Sequence, residues 1–69
     1  GLLVWSRSRP RRPGWYWIRR VGGDVAVVQL QRSNRGLVAA WPGRFYLEPI
    51  RTRDYDDAEW CGPLDIPPG

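Results

Sequence analysis

The stretch Gly14–Arg32, GWYWIRRVGGDVAVVQLQR, constrains the fold of this chain more than any other. Two runs rich in aromatic and β-branched residues flank Gly22-Gly23, the composition of two strands joined by a tight turn. Glycine takes the positive φ that such turns demand. The register of this hairpin decides which side chains are buried, because a slip of one residue moves every side chain to the other face. A two-residue loop at Gly22-Gly23 sets Val21 opposite Asp24, Trp17 opposite Val28 and Trp15 opposite Leu30. One face then carries Trp15, Trp17, Ala26, Val28 and Leu30, and the other Tyr16, Ile18, Val25, Val27 and Gln29. A three-residue loop that includes Asp24 instead puts Tyr16 and Ile18 with Val28 and Leu30. The two-residue loop is preferred because it sets two tryptophans over three apolar residues. Both faces are partly apolar in either register, which predicts cover by the chain itself on one side and by a partner on the other.

Further short strands are expected around the hairpin. Residues 2–5 read as an edge strand. Ser33-Asn34-Arg35-Gly36 has turn composition, and Leu37-Val38-Ala39-Ala40-Trp41 reads as a third strand. Pro42-Gly43 suits the centre of a type II turn, and Arg44–Glu48 would form a fourth strand that Pro49 ends. Each apolar run is too short to prefer a helix. Asp54 would cap one or two helical turns near the C-terminus, from which Trp60 returns to the core. Residues 61–69 read as an extended, proline-rich tail in which Leu64 and Ile66 alternate with Asp65. The expected fold class is all-β: one domain over 1–69, a strongly curved antiparallel sheet of four or five strands, with an SH3-like barrel as its closed form. Core candidates are Trp15, Trp17, Val28, Leu30, Val38, Trp41, Phe45, Leu47 and Trp60.

At 69 residues such a domain buries only about 60% of its unfolded surface, so its five tryptophans matter for stability. The single Cys61 allows no internal disulfide, which fits a cytoplasmic location. Gly1–Trp5 is too short an apolar run for a signal segment or a membrane span, so no membrane partner is expected.

All eleven basic residues are arginine, and the chain has no histidine. The usual general base near neutral pH is therefore absent, and Cys61 has no base nearby in sequence, so it reads as a buried or semi-buried thiol and no catalytic residue is expected. Asp54, Asp56, Asp57 and Glu59 lack the glycine and the distal bidentate glutamate of a calcium loop, and read better as a solvated face or as charge balance to the arginines. No cofactor or metal is expected.

Binding chemistry is better represented. Ser6–Pro13, SRSRPRRP, carries four arginines and two prolines, reads as an extended exposed arm over 7–13, and has guanidinium groups suited to phosphates. Trp15, Tyr16 and Trp17 cannot all face one way in a strand, so at least one lies on the opposite face, either to stack a base or anchor a partner beside Arg19, Arg20 and Arg44 or to be covered by the Leu64-Ile66 tail. The candidate binding residues are Arg7, Arg9, Arg11, Arg12, Tyr16, Arg19, Arg20 and Arg44.

Pro13-Gly14-Trp15-Tyr16-Trp17, the apolar second strand, and Trp60 followed by Gly62-Pro63-Leu64-Asp65-Ile66-Pro67-Pro68 resemble a pattern in small uncharacterised proteins of bacteriophages and prophages of GC-rich proteobacteria. The resemblance covers roughly a third of the chain, at its two ends. It implies a non-enzymatic accessory protein that binds a host protein or nucleoprotein complex, such as an anti-CRISPR-like inhibitor of a bacterial defence complex. The alternative expectation is a nucleic-acid-binding β-module that uses the arginines. A homodimer is compatible with either.

Overall fold

Gly14–Arg19 and Val25–Ser33 form the expected hairpin, here strands β1 and β2, with the faces of the three-residue loop, not of the preferred two-residue one, and a pairing shifted by two residues from the former. Tyr16 pairs with Val28, Ile18 with Ala26 and Gly14 with Leu30 in this computed structural model, which describes residues 4–64. The turn centres on Val21-Gly22 rather than Gly22-Gly23. The amide of Gly23 donates to the carbonyl of Arg20 at 2.9 Å, and Gly22 at the third turn position has φ of 69°. A type II turn requires a positive φ there, which is the local reason for the shift. Tyr16, Ile18, Val28 and Leu30 are consequently buried together, while Trp15 is 38% exposed.

The sheet is antiparallel and five-stranded, in the order β4-β3-β2-β1-β5, with β3 at Gly36–Ala40, β4 at Leu47–Pro49 and β5 at Glu59–Leu64. It is open. Closing it as a barrel would require its edge strands β4 and β5 to pair, and no ladder joins them among the described residues. β1 to β4 form a meander. The chain then crosses the sheet through a 3-10 turn at Arg53–Tyr55 and returns as β5 beside β1.

That crossing and the start of β5 supply one side of the core. Ile50, Tyr55, Ala58 and Trp60 pack on Tyr16, Ile18, Val28, Leu30 and Ala39. Trp60 stacks on Tyr55, with ring centroids 5.9 Å apart, and meets the edge of Tyr16 at 6.3 Å. With two large rings arriving from the crossing, the inner face takes Tyr16 and Ile18 and leaves Trp15 and Trp17 outside. Val28, Leu30, Val38 and Trp60 are buried as expected, and Trp41 packs partly against the core. Trp15, Phe45 and Leu47 are exposed and Trp17 is half-buried, so these four are not core residues.

Three further boundaries differ from expectation. β4 is only Leu47–Pro49, because residues 44–46 bend away, and Pro49 sits inside it opposite Val38. Proline is tolerated there because an edge strand need not donate outward. The 3-10 turn follows Thr52 rather than an Asp54 cap, and Thr52 makes no side-chain capping bond. Cys61–Leu64 is not tail but strand, paired with β1. Gly62 makes this possible: a Cβ there would lie 2.8 Å from the Tyr16 ring and 3.0 Å from the Trp15 carbonyl oxygen. The expected tail contribution of Ile66 and the edge strand at residues 2–3 lie outside the described residues. Beside β5, Ser6 and Trp60 exchange a pair of backbone hydrogen bonds at 2.7 and 2.8 Å.

Candidate binding surface

Antiparallel connectivity sorts the loops into two ends of the sheet. The β1–β2 turn, the β3–β4 loop and the start of β5 share one end. The opposite end gathers the residues before β1, the β2–β3 turn, the exit from β4 and the end of β5. The arginines differ sharply between them.

At the first end the guanidinium groups are engaged. Arg19 Nε donates to Glu59 Oε1 at 3.1 Å, and its guanidinium lies 4.3 Å from the Trp5 ring centroid. Arg20 donates to the Asp54 carbonyl at 3.0 Å and lies over the Tyr55 ring at 5.1 Å. Arg44 donates to the Tyr46 hydroxyl and lies 5.8 Å from both the Trp41 and Tyr46 rings. Beneath them, the Trp41 Nε1–H donates to the Tyr55 hydroxyl at 2.9 Å, and that hydroxyl donates to Glu48 at 2.6 Å. Burial, reinforced by the carboxylate, pushes the Tyr55 phenol up to about 12. This end is a structural lattice of cations and aromatics.

Between the ends, Arg9 is also engaged. It donates through Nε to the Ile50 carbonyl at 2.8 Å and through Nη2 to the Thr52 carbonyl at 3.1 Å, and it pairs with Asp56. The 7–13 segment is therefore not an arm in solvent along its whole length: it is strapped to the crossing segment at Arg9, and Ser6 precedes it on the edge of β5. The charge-balance reading of the acidic cluster holds for Asp56 and Glu59, which pair with Arg9 and Arg19.

The second end is different. Arg11 and Arg12 lead into β1, Arg32 and Arg35 flank the β2–β3 turn, and Arg51 follows the exit from β4. All five are exposed. None has a side-chain hydrogen bond or ion pair among the described residues, and none of the described acids lies in the segments that form this end. The turn itself is rigid. Ser33 Oγ accepts from the Arg35 amide at 3.0 Å and donates to the Gly36 carbonyl at 2.9 Å.

The sequence-derived set is thus divided rather than gathered. Arg11 and Arg12 belong to the unpartnered end. Arg9, Arg19, Arg20 and Arg44 are engaged in the fold, and Arg7 is exposed beyond Ser6. Tyr16 is corrected: it is 4% exposed, its hydroxyl donates to the Arg12 carbonyl at 2.9 Å, and burial raises its pKa. A ring so enclosed has no face for a base or a partner. Sequence reasoning missed Arg32, Arg35 and Arg51, which lie far from Arg11 and Arg12 in the chain. The available signal was the meander itself, which returns the β2–β3 turn and the exit from β4 to the end where β1 begins.

Other chemistries are less well represented in the fold. Cys61 is a buried free thiol, as expected. Among the described residues no three metal-binding side chains cluster, and no helix is long and apolar enough to cross a membrane. No protein-family model, curated protein or solved structure matches the chain.

Proposed function

We propose that this protein is a non-enzymatic binding module that engages the phosphate backbone of nucleic acid through Arg11, Arg12, Arg32, Arg35 and Arg51. The observation that carries the reading is the gathering of five exposed, unpartnered guanidinium groups at one end of a rigid sheet; Arg7 and Arg53 are exposed and without a side-chain partner elsewhere among the described residues, and Arg9, Arg19, Arg20 and Arg44 are engaged within the fold. Arginine left without an internal partner and presented on structured turns suits bidentate phosphate contact. The absence of histidine supports the non-enzymatic part.

Salt-titrated binding to random-sequence DNA and RNA tests this. With up to five phosphates neutralised, affinity should fall on the order of a hundredfold between about 50 and about 200 mM salt. Binding that ignores salt, or no binding at low salt, would refute the proposal.

A second reading follows from the resemblance to phage accessory proteins: an inhibitor in the host cytoplasm that acts on a nucleoprotein defence complex. The exposed Phe45, Tyr46 and Leu47 support it, since solvent-exposed aromatics beside an arginine are the chemistry of protein anchors. Its test is recovery of a defined host complex from nuclease-treated lysate. Retention after Phe45→Ser and Tyr46→Ser, with loss after the five arginine substitutions, would remove the aromatic loop from that reading.

A further inference from the structure

We propose that the outer face of the sheet, beside the unpartnered arginines, is a base-stacking platform, so that the nucleic acid recognised is single-stranded. This rests on the phosphate-binding reading and specifies its ligand. Strand alternation puts one row of side chains across all five strands on this face: Leu64, Trp15, Gln29, Ala40 and Leu47. Every member of the row is at least partly exposed, Trp15 at 38% and Leu47 at 44%. On either side of this row the same face is occupied: toward the basic end Val38, opposite Gln31, is buried, and toward the other end the cover is larger. Arg19 stacks on Trp5, and Cys61, opposite Trp17, is buried. The accessible indole is therefore the one nearest the basic end, in the second position of β1.

Its neighbours fit bases rather than a purely apolar partner. Gln29 lies directly across from Trp15 on β2, and exposed Gln31 follows on the same face, its Nε2 3.4 Å from Gln29 Oε1. Amides both donate and accept, as base edges do. Arg12 precedes Trp15 by three residues, and Arg32, next to Gln31 in β2, stands at the same end but on the opposite face. An aromatic ring for the base and amides for its edge therefore share one face, and the guanidinium groups for the flanking phosphates stand at the end where that face stops. In a duplex the bases are stacked on one another and their faces are unavailable to Trp15, whereas a single strand presents them. Positive charge at the border of the face selects this occupant over a second copy of the chain, which would bring like charges together when aligned in parallel.

The test uses the full chain with oligothymidine, oligouridine and a duplex of equal length. Fluorescence anisotropy of labelled oligomers is read against salt, with light scattering for oligomeric state. The two single strands should bind at least about tenfold more tightly than the duplex. Trp15→Ala should lose about tenfold on single strands while the slope of log affinity against log salt stays the same, and Trp15→Phe should restore most of it. A Trp15→Ala variant that binds like the parent, at an unchanged thermal midpoint, overturns the platform but leaves the phosphate site standing. Equal affinity for duplex and single strand does the same. A parent that is dimeric by scattering, and monomeric as Trp15→Ala, assigns the face to a second copy and overturns the platform. Loss of all nucleic-acid binding in the parent removes both readings together.

Discussion

Two sets of arginines, chemically identical and interleaved in the chain, occupy opposite circumstances in the fold. Arg9, Arg19, Arg20 and Arg44 spend their donors on carbonyls, carboxylates, a phenol or aromatic faces of the protein itself. Arg11, Arg12, Arg32, Arg35 and Arg51 have no side-chain partner among the described residues. The difference arises from topology. The crossing segment brings Asp54, Asp56 and the start of β5 to some arginines, while the opposite end receives only turns and strand termini. A guanidinium already coordinated by the fold contributes to stability; one left bare contributes a field and unspent donors.

The sharpest way to break this comparison is to replace the bare set. Serine at all five positions should reduce nucleic-acid affinity at low salt by more than about a hundredfold, with the thermal midpoint held within a few degrees in a melting scan. A large fall in midpoint would mean that these arginines serve the fold after all.

Arg9→Ala reverses the pattern. It removes two bonds to backbone carbonyls and a partly exposed ion pair, so a loss on the order of 1–2 kcal/mol is expected after screening. For a domain of this size that lowers the midpoint by roughly 4–15 °C, with little change in the salt slope. Chemical denaturation with the same variant checks the free energy directly.

Alkaline titration sharpens the comparison at the engaged end. Tyr55 and Tyr16 hold their protons more tightly in the folded state than their ordinary value of about 10. Their contribution is therefore complete below about pH 10 and declines as the pH rises toward the folded Tyr55 value of about 12. Tyr55→Phe should flatten most of this decline, while costing some stability at neutral pH through the lost bonds to Trp41 and Glu48. An unchanged alkaline profile in Tyr55→Phe would place the effect elsewhere. The smallest effect is expected for Arg19→Ala, whose ion pair with Glu59 is partly exposed: under about 1 kcal/mol by denaturation, and less at high salt.

Much of the fold is legible in the sequence. Short β-rich runs, the Pro42-Gly43 turn and the absence of helical periodicity lead to an antiparallel sheet, and the Arg44 amide does close a turn onto the Trp41 carbonyl at 3.2 Å. What is not legible is parity. Gly22-Gly23 fits two turn placements nearly equally, and a local preference of that size is overruled by Tyr55 and Trp60 arriving from a distant segment. That single slip turns Trp15 outward and Tyr16 inward. It therefore misplaces both the core and the aromatic offered to a partner. The site is half legible for a related reason. Arg11 and Arg12 stand out as a run, whereas Arg32, Arg35 and Arg51 become their neighbours only after the meander is folded. Arg9 looks like its neighbours in sequence, and nothing local marks it as the one that straps the segment down.

The central claim is that the bare arginines, and not the engaged ones, carry the interaction with phosphate. Anisotropy of a labelled oligothymidine as a function of salt measures it directly, for the parent, for the five-serine variant at positions 11, 12, 32, 35 and 51, and for Arg19→Ser with Arg44→Ser. The account predicts a steep negative slope of log affinity against log salt in the parent, a nearly flat one in the five-serine variant, and a parental slope in the double variant. A parental slope in the five-serine variant, or an equal flattening in both, would contradict it.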